Sequence, residues 1–175
     1  MGTSLTSCTY LRACIDETMR ISPSVGSALW REVDTSGAEI DGLYVPAGCN
    51  VGTGIYSIHH HPDYYPEPFK FKPERWLVKE KGTTREDVEV AQSAFNPFST
   101  GPRGCIGRGL ALAEMQLLMA TLVWTFDFRS VGKVGEGRVG AELGREKPWE
   151  FQLRDHVTSA KEGPIIQFRE RFASS

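Results

Sequence analysis

The chain has no long hydrophobic run. The best apolar stretch, Leu117 to Phe126, is far short of the ~20 residues that cross a bilayer, so no membrane span is expected. Neither sign of charge dominates, with 20 Lys+Arg against 22 Asp+Glu. That balance excludes a polycation that grips nucleic acid by bulk charge, and no nucleic-acid partner is expected. Cysteine is scarce, and Cys8, Cys14, Cys49 and Cys105 form no C-x-x-C pair, which excludes a ribbon-type zinc site. No secretory signal is evident, so reduced thiols are expected. There is no internal repeat and no linker between two cores. Wholesale disorder is excluded by ordinary hydrophobic and charged fractions of 40% and 24%. A length of 175 residues predicts one domain, or part of a larger one. Met1-Gly2-Thr3-Ser4-Leu5-Thr6 formally fits an acylation pattern, but the match is short. The plainer reading is a Ser/Thr-rich lead-in that caps the first helix.

Turn formers are plentiful, with 18 Gly and 10 Pro. A first helix is predicted from about Thr6 to Arg20, with Leu11, Ile15 and Thr18 on one stripe and Tyr10, Cys14, Glu17 and Ile21 beside it. Ser22-Pro23 ends it. Short strands follow over Gly26 to Val33, Glu39 to Val45 and Cys49 to Ile55, with turns at Asp34 to Gly37, Asp41-Gly42 and Pro46 to Gly48. From His59 to Trp76 four prolines and many aromatics predict an irregular, packed meander. Lys79 to Glu89 reads as a charged surface loop, and Phe95 to Gly104 as a second loop. A strong helix is expected from about Ile106 to Trp124, with Leu110, Leu112, Leu117, Leu118 and Leu122 in the core. A Gly-rich stretch follows Phe128. Strands are expected at Trp149 to Arg154 and Ile165 to Arg169, around a Lys161 to Pro164 turn.

The most informative residues are Phe98-Ser-Thr-Gly101-Pro-Arg103-Gly-Cys105-Ile-Gly107, directly before the long helix. A cysteine at a helix N-terminus meets free N–H groups and the positive end of the macrodipole. Its thiol pKa is expected to fall, making it a thiolate donor. Gly101 allows a tight loop. Gly107 removes a side chain where something flat approaches. Arg103 offers a cation for a ligand carboxylate, and Phe98 shields the sulfur. Those are the requirements of a Cys-ligated haem. A buried cysteine in a Gly-rich turn is the plain alternative for a lone Cys, but not for five residues at this spacing.

Glu17 and Arg20 stand at i and i+3, on one helix face. An E-x-x-R arises by chance about once in two chains of this size, and Glu142-Leu-Gly-Arg145 is another. The second lies between glycines without a helical pattern. The first points inward, and a buried carboxylate needs more than one partner. Arg75, in Pro73-Glu74-Arg75-Trp76, is the candidate third member. Two other patterns carry less. His59-His60-His61 with His156 lacks an i, i+4 metal-binding pair. Gly135 to Gly140 fits G-x-G-x-x-G, but no apolar helix follows.

Phe98 to Gly107 matches the F-x-x-G-x-R-x-C-x-G signature of the cytochrome P-450 family of haem-thiolate monooxygenases. Glu17-Thr-Met-Arg20 resembles that family's E-x-x-R, and Pro73-Glu-Arg-Trp76 its P-E-R-F, with Trp for Phe. The order and separation of the three also fit, and the similarity covers nearly the whole chain. The resemblance implies a mainly α fold with small β-sheets, residues 1–175 being the C-terminal portion of a single cytochrome P-450 domain. By resemblance, Cys105 is the axial iron ligand and the catalytic centre. Arg103 pairs with a haem propionate, Phe98 covers the thiolate, and Gly107 lines the cofactor. Arg31, in Leu29-Trp-Arg31-Glu-Val, lies where many members place another propionate partner. Glu17, Arg20 and Arg75 form a structural triad that locks the first helix to the meander. Val25, Ala28, Val157 and Thr158 are substrate-contact candidates from the family layout.

The implied cofactor is haem b (iron protoporphyrin IX). The implied reaction inserts one oxygen atom from O2 into a small lipophilic substrate, with electrons from NADPH through a cytochrome P-450 reductase. A peroxide-driven peroxygenase is a further option. The family domain is over twice as long, and no segment here resembles its long central helix, distal pocket wall or N-terminal membrane anchor. The chain is therefore expected to be a fragment, and a haem-binding remnant without oxygenase activity is the alternative. Full-length members of this type associate with the endoplasmic reticulum membrane. The Ile21 to Val25 and Arg154 to His156 segments resemble fungal members of secondary metabolism.

Overall fold

A computed structural model describes residues 3–131, 154–160 and 164–172. The Ser/Thr lead-in forms its own turn, α1 (Thr3–Thr6), and the first long helix, α2, runs over Thr9–Ile21. Cys8 occupies the N-cap position of α2, and no side chain caps that end. Its carbonyl accepts the Arg12 N–H at 3.1 Å. The expected Ser/Thr cap is therefore not made. Ser22 N–H bonds the Thr18 carbonyl at 2.9 Å, and Pro23 stops the helix as expected.

The buried face of α2 carries Ala13, Ile15, Glu17 and Arg20. Thr18 is exposed and Tyr10 is half exposed, so the helix is turned away from the stripe that apolar spacing predicts. A buried charge with many donors costs more to misplace than a threonine costs to expose, and the polar pair sets the rotation.

The small β region is present, in strands shorter than expected. β1 (Arg31–Glu32) pairs antiparallel with β4 (Asn50–Val51), while β2 (Ala38–Ile40) and β3 (Leu43–Val45) form a separate hairpin. Asp41 and Gly42 close that hairpin at φ 50° and 75°, the paired left-handed geometry of a tight two-residue turn. The expected Gly26 to Val33 strand reduces to β1 and one bridge, Ala28 to Gly54. Ile55 belongs to helix α3 (Ile55–His59) instead of a strand.

The meander from His59 onward is irregular as read, and ends in a 3-10 turn over Pro73–Trp76. Tyr65 is its anchor, fully buried against Ala91 and Ala94, with Ile58 and Trp76 packed on them. Ala91 lies on α4 (Arg85–Ser93), which begins inside the Lys79 to Glu89 stretch where the charged composition predicts a loop. The missed signal is a capping box. Asp87 N–H bonds Thr84 Oγ1 at 3.1 Å, and Asp87 Oδ2 accepts the Thr84 N–H at 2.8 Å. Val88 and Ala91, three apart, then supply one buried edge.

Helix α5 (Arg108–Thr125) runs directly into strand β5 (Phe126–Ser130). The expected core role of its leucines does not hold. Leu110, Leu117 and Leu118 are 66%, 61% and 59% exposed, and Leu112 and Leu122 are only half-buried. Among the described residues, Gln116 is the buried position of α5. The apolar content of the helix predicts a face that needs cover, and the described residues do not supply that cover.

β5 pairs antiparallel with β8 (Ile166–Glu170), from Phe126 opposite Glu170 to Ser130 opposite Ile166. The strand expected at Ile165 to Arg169 is present as β8, and its partner among the described residues is the distant β5. β6 (Arg154–His156) and β7 (Thr158–Ala160) make their own hairpin, turning at Val157. Most of the Gly-rich stretch, residues 149–153 and residues 161–163 lie outside the described residues. The whole is mainly α with small antiparallel sheets.

Candidate functional site

Glu17 and Arg20 are both fully buried. Their spacing lets the guanidinium lie flat against the carboxylate, with Nε to Oε2 at 2.9 Å and Nη2 to Oε1 at 3.0 Å, the bidentate fork that arginine favours. Three donors from the 3-10 turn and its entry complete the shell. Arg75 Nε reaches Oε1 at 3.1 Å, the Lys72 N–H reaches Oε1 at 3.0 Å, and Trp76 Nε1 reaches Oε2 at 3.0 Å.

The guanidiniums use their remaining hydrogens elsewhere. Arg20 Nη1 donates to the His59 carbonyl at 2.7 Å, and Arg75 donates twice to the Pro66 carbonyl at 3.2 and 3.3 Å. Both guanidiniums also lie over the Tyr65 ring, at 5.0 and 5.9 Å from its centroid, a cation–π contact that offsets the excess positive charge. Burial holds the Tyr65 phenol above its ordinary pKa, and its O–H donates to the Ala91 carbonyl at 2.8 Å. Glu17, Arg20 and Arg75 thus come together, with Trp76 as an additional donor.

The second element is the loop from Asn96 to Gly107. Ser99 N–H bonds the Asn96 carbonyl at 2.9 Å, Gly104 N–H bonds the Gly101 carbonyl at 3.0 Å, and Cys105 N–H bonds the Phe98 carbonyl at 2.8 Å. Gly101 stands at φ 68°, where a Cβ would be strained. The Phe98–Cys105 bond makes the loop a closed ring with the thiol at its end. Cys105 is exposed. It lies just ahead of α5, whose N-cap is Gly107, and the Cys105 carbonyl accepts the Arg108 N–H at 3.3 Å. A Cβ built on Gly107 would meet Cys105 Sγ at 3.8 Å, so the missing side chain leaves the sulfur open on that side. Phe98 is half-buried and Arg103 is exposed, at the end of a 3-10 turn over Gly101–Arg103.

Arg31 is not gathered into this loop. It is exposed on β1, with Nη1 bonded locally to the Trp30 carbonyl. The four substrate-contact candidates fall into two segments that meet. Ser159 N–H bonds the Ser24 carbonyl at 2.6 Å, and Ser159 Oγ bonds the Pro23 carbonyl at 3.4 Å. The β6–β7 hairpin therefore docks on the segment that holds Val25 and Ala28.

Two participants escaped the sequence reading. Trp76 reads in sequence as a ring in place of Phe, and nothing local marks its N–H as a donor to Glu17. His59 reads there as the start of the meander and as one of a histidine run without a metal-binding pair. No cluster of three metal-ligating side chains exists among the described residues. His59 is instead fully buried, and its Nε2 accepts the Asn96 N–H at 3.1 Å. Burial and the Arg20 charge lower its pKa to about 4, so it is a neutral acceptor near pH 7. Gly135 to Gly140 and the Glu142–Arg145 pair lie outside the described residues.

A sequence model of the family described as Cytochrome P450 matches residues 3–138. The chain is 53% identical to the cytochrome P450 monooxygenase apf8 of Gibberella fujikuroi, over 98% of this chain and 46% of that protein. It is 50% identical to the cytochrome P450 monooxygenase AKT7 of Alternaria alternata, over 97% of this chain and 34% of that protein. The chain thus spans between a third and a half of these relatives. Among solved structures, the retinoic acid-bound cyanobacterial CYP120A1 superposes with a TM-score of 0.73 over 97% of this chain and 34% of its own, at 24% identity. That likeness concerns the fold alone. With the family match spanning most of its length, and with the thiol loop and the buried Glu17–Arg20 pair in one structure, this chain belongs to the cytochrome P450 family.

Proposed function

We propose that this chain is the haem-thiolate portion of a cytochrome P450 monooxygenase, the C-terminal part of a single domain, with Cys105 as the residue whose thiolate would hold the iron of a haem b. The observation that carries this is the closed loop that ends in an exposed cysteine, with a glycine two residues on. A haem needs a reachable sulfur and a flat approach to it, and the open side at Gly107 fits both needs. It also needs cations for its propionates. Arg103 is exposed on the same loop, and Arg31 on β1 is the second candidate. Phe98 is half-buried, and its carbonyl holds the Cys105 N–H at 2.8 Å.

Each residue has a physical task. The Cys105 N–H bond to Phe98 fixes the backbone from which Sγ projects. Arg103 orients a carboxylate by charge-assisted hydrogen bonding. By the resemblance, Phe98 would cover the sulfur once a haem is bound, and a drier sulfur is a more stable ligand. Glu17, Arg20 and Arg75 hold α2 to the meander behind the loop. When bound, the thiolate-ligated haem supplies oxygen activation, since electron density from sulfur favours O–O cleavage. The reaction read here is insertion of one oxygen atom from O2 into a small lipophilic substrate, with electrons from NADPH through a cytochrome P450 reductase. The relatives' names support a fungal monooxygenase assignment. No described helix is long and apolar enough to cross a membrane, and an endoplasmic-reticulum location belongs to the parent protein.

The exposed leucines of α5 favour a second reading for this chain by itself: a haem-binding remnant without oxygenase activity. One experiment separates the two. The purified chain and Cys105→Ala are reconstituted with haem, reduced and exposed to carbon monoxide. A red-shifted thiolate-type Soret band, lost in the variant, supports Cys105 as ligand. Product formation with NADPH and reductase then supports the monooxygenase, and a thiolate band without turnover supports the remnant. Uptake equal in both proteins overturns Cys105 as ligand.

A further inference from the structure

His59 has no part in the roles just described, yet it touches both halves of the site. It ends α3, fully buried, and its carbonyl accepts Arg20 Nη1 at 2.7 Å. Its ring does something separate, with Nε2 accepting the Asn96 N–H at 3.1 Å. A ring nitrogen that accepts carries no proton, so the proton of the neutral imidazole is assigned to Nδ1. The ring stacks on Phe95 at 5.4 Å and meets Tyr65 edge-on at 6.3 Å. Both neighbours restrict its rotation, so the acceptor points one way.

Asn96 is the entry to the thiol loop. It precedes Pro97, which has a fixed φ and no N–H of its own. Two residues past Pro97, the Ser99 N–H bonds back to the Asn96 carbonyl at 2.9 Å, and the Phe98 carbonyl between them takes the Cys105 N–H at 2.8 Å. The path from the buried carboxylate to the cysteine is therefore short: Glu17 to Arg20, Arg20 to His59, His59 to Asn96, and the loop's own bonds to Cys105.

We propose that His59 is a positioning residue that grips Asn96 and so transmits the Glu17–Arg20 lock to the loop that presents the Cys105 sulfur. The last link rests on Cys105 being the haem ligand, and the grip on Asn96 does not. A residue that only fills space between Phe95 and Tyr65 makes a different prediction, because phenylalanine would fill that space too.

The test is amide hydrogen exchange on the full chain, comparing wild type, His59→Phe and His59→Gln. Glutamine keeps an acceptor at the position of Nε2, and phenylalanine keeps only the ring. The expected result is roughly tenfold faster exchange over residues 95–105 in His59→Phe, the loss of one buried hydrogen bond. Protection of α2 and α4 should persist, and His59→Gln should restore most of the loop protection. In the haem-reconstituted chain, the thiolate-type Soret band of His59→Phe should decay faster than that of wild type. Unchanged loop exchange in His59→Phe would overturn the grip. So would an equal loss of protection in the loop, α2 and α4 of both variants, which marks a core filler. A wild-type chain with no thiolate-bound haem would overturn the reading of Cys105, while the exchange result would still decide the grip.

Discussion

Trp76 donates its indole N–H to Glu17 Oε2 at 3.0 Å, across 59 positions of sequence. The carboxylate thereby accepts two bonds at Oε2, from Arg20 and Trp76, and three at Oε1. A phenylalanine at residue 76 would pack in the same place and leave one lone pair unmet. Trp76→Phe is expected to cost about 1–2 kcal/mol, the range of a hydrogen bond to a charged group. Glu17→Gln leaves two buried guanidiniums without their anion and should cost about 3–5 kcal/mol. Urea unfolding midpoints measure both, and equal midpoints for the two variants would contradict the ordering.

His59 gives the fold a dependence on pH. Its folded pKa is lowered from 6.5 to about 4, chiefly by burial and then by the Arg20 charge. Between those values the unfolded chain binds the extra proton and the folded chain does not. The His59 contribution is therefore full above pH 6.5 and shrinks as pH falls towards 4, by up to about 1.4 kcal/mol per pH unit inside that window. Unfolding free energies measured from pH 7 to 4.5 should fall more steeply in wild type than in His59→Phe. Parallel curves would contradict a buried, neutral His59.

Thr84→Ala removes the cap of α4. Thr84 Oγ1 accepts the Asp87 N–H, and the Asp87 carboxylate is bonded in return. The hydrogen bonds from Thr84 hold the Asp87 pKa below its ordinary value. The substitution should cost about 1 kcal/mol. The helix carries Ala91 against Tyr65, so Tyr65 fluorescence should report the same transition as circular dichroism. A stability equal to wild type would mean that α4 is held by packing alone.

Gly107→Val puts a branched side chain beside Cys105 Sγ, where the first added carbon alone would lie 3.8 Å away. The φ of −80° at this position suits any residue, so the melting temperature should stay near that of wild type. Haem uptake and the reaction of Cys105 with a bulky thiol reagent should both fall. Undiminished uptake would show that nothing flat approaches over Gly107.

Leu117→Gln with Leu118→Gln tests the exposed face of α5. Both side chains are more than half exposed, so the pair of changes should alter unfolding free energy by less than about 1 kcal/mol. It should also reduce self-association in light scattering, since an apolar patch is lost. A loss of several kcal/mol would mean that this face is packed in the isolated chain.

Some of this was legible in the sequence because it is local. The ten residues from Phe98 to Gly107 dictate a tight loop before a helix through glycine, proline and spacing. Glu17 and Arg20 meet because three residues is nearly one helical turn. The Asp41-Gly42 hairpin and the stop at Ser22-Pro23 follow from backbone sterics in the same way. The helix at Arg85–Ser93 was also local, and was hidden by its charge although Thr84 and Asp87 form its cap.

The rest depended on contacts between distant segments. Apolar spacing put Thr18 on the inner stripe of α2, and the five donors around Glu17 turned the helix elsewhere. β8 pairs with β5 across about forty residues, and nothing in either strand names its partner, because backbone hydrogen bonds carry no side-chain identity. The leucines of α5 mark a face to be covered without saying what covers it. The sequence by itself determined the thiol loop and the charged pair, through short-range geometry. Only the tertiary structure decided that His59 and Trp76 join them, since a buried polar atom takes its partner from whichever donor or acceptor the packing brings within about 3 Å.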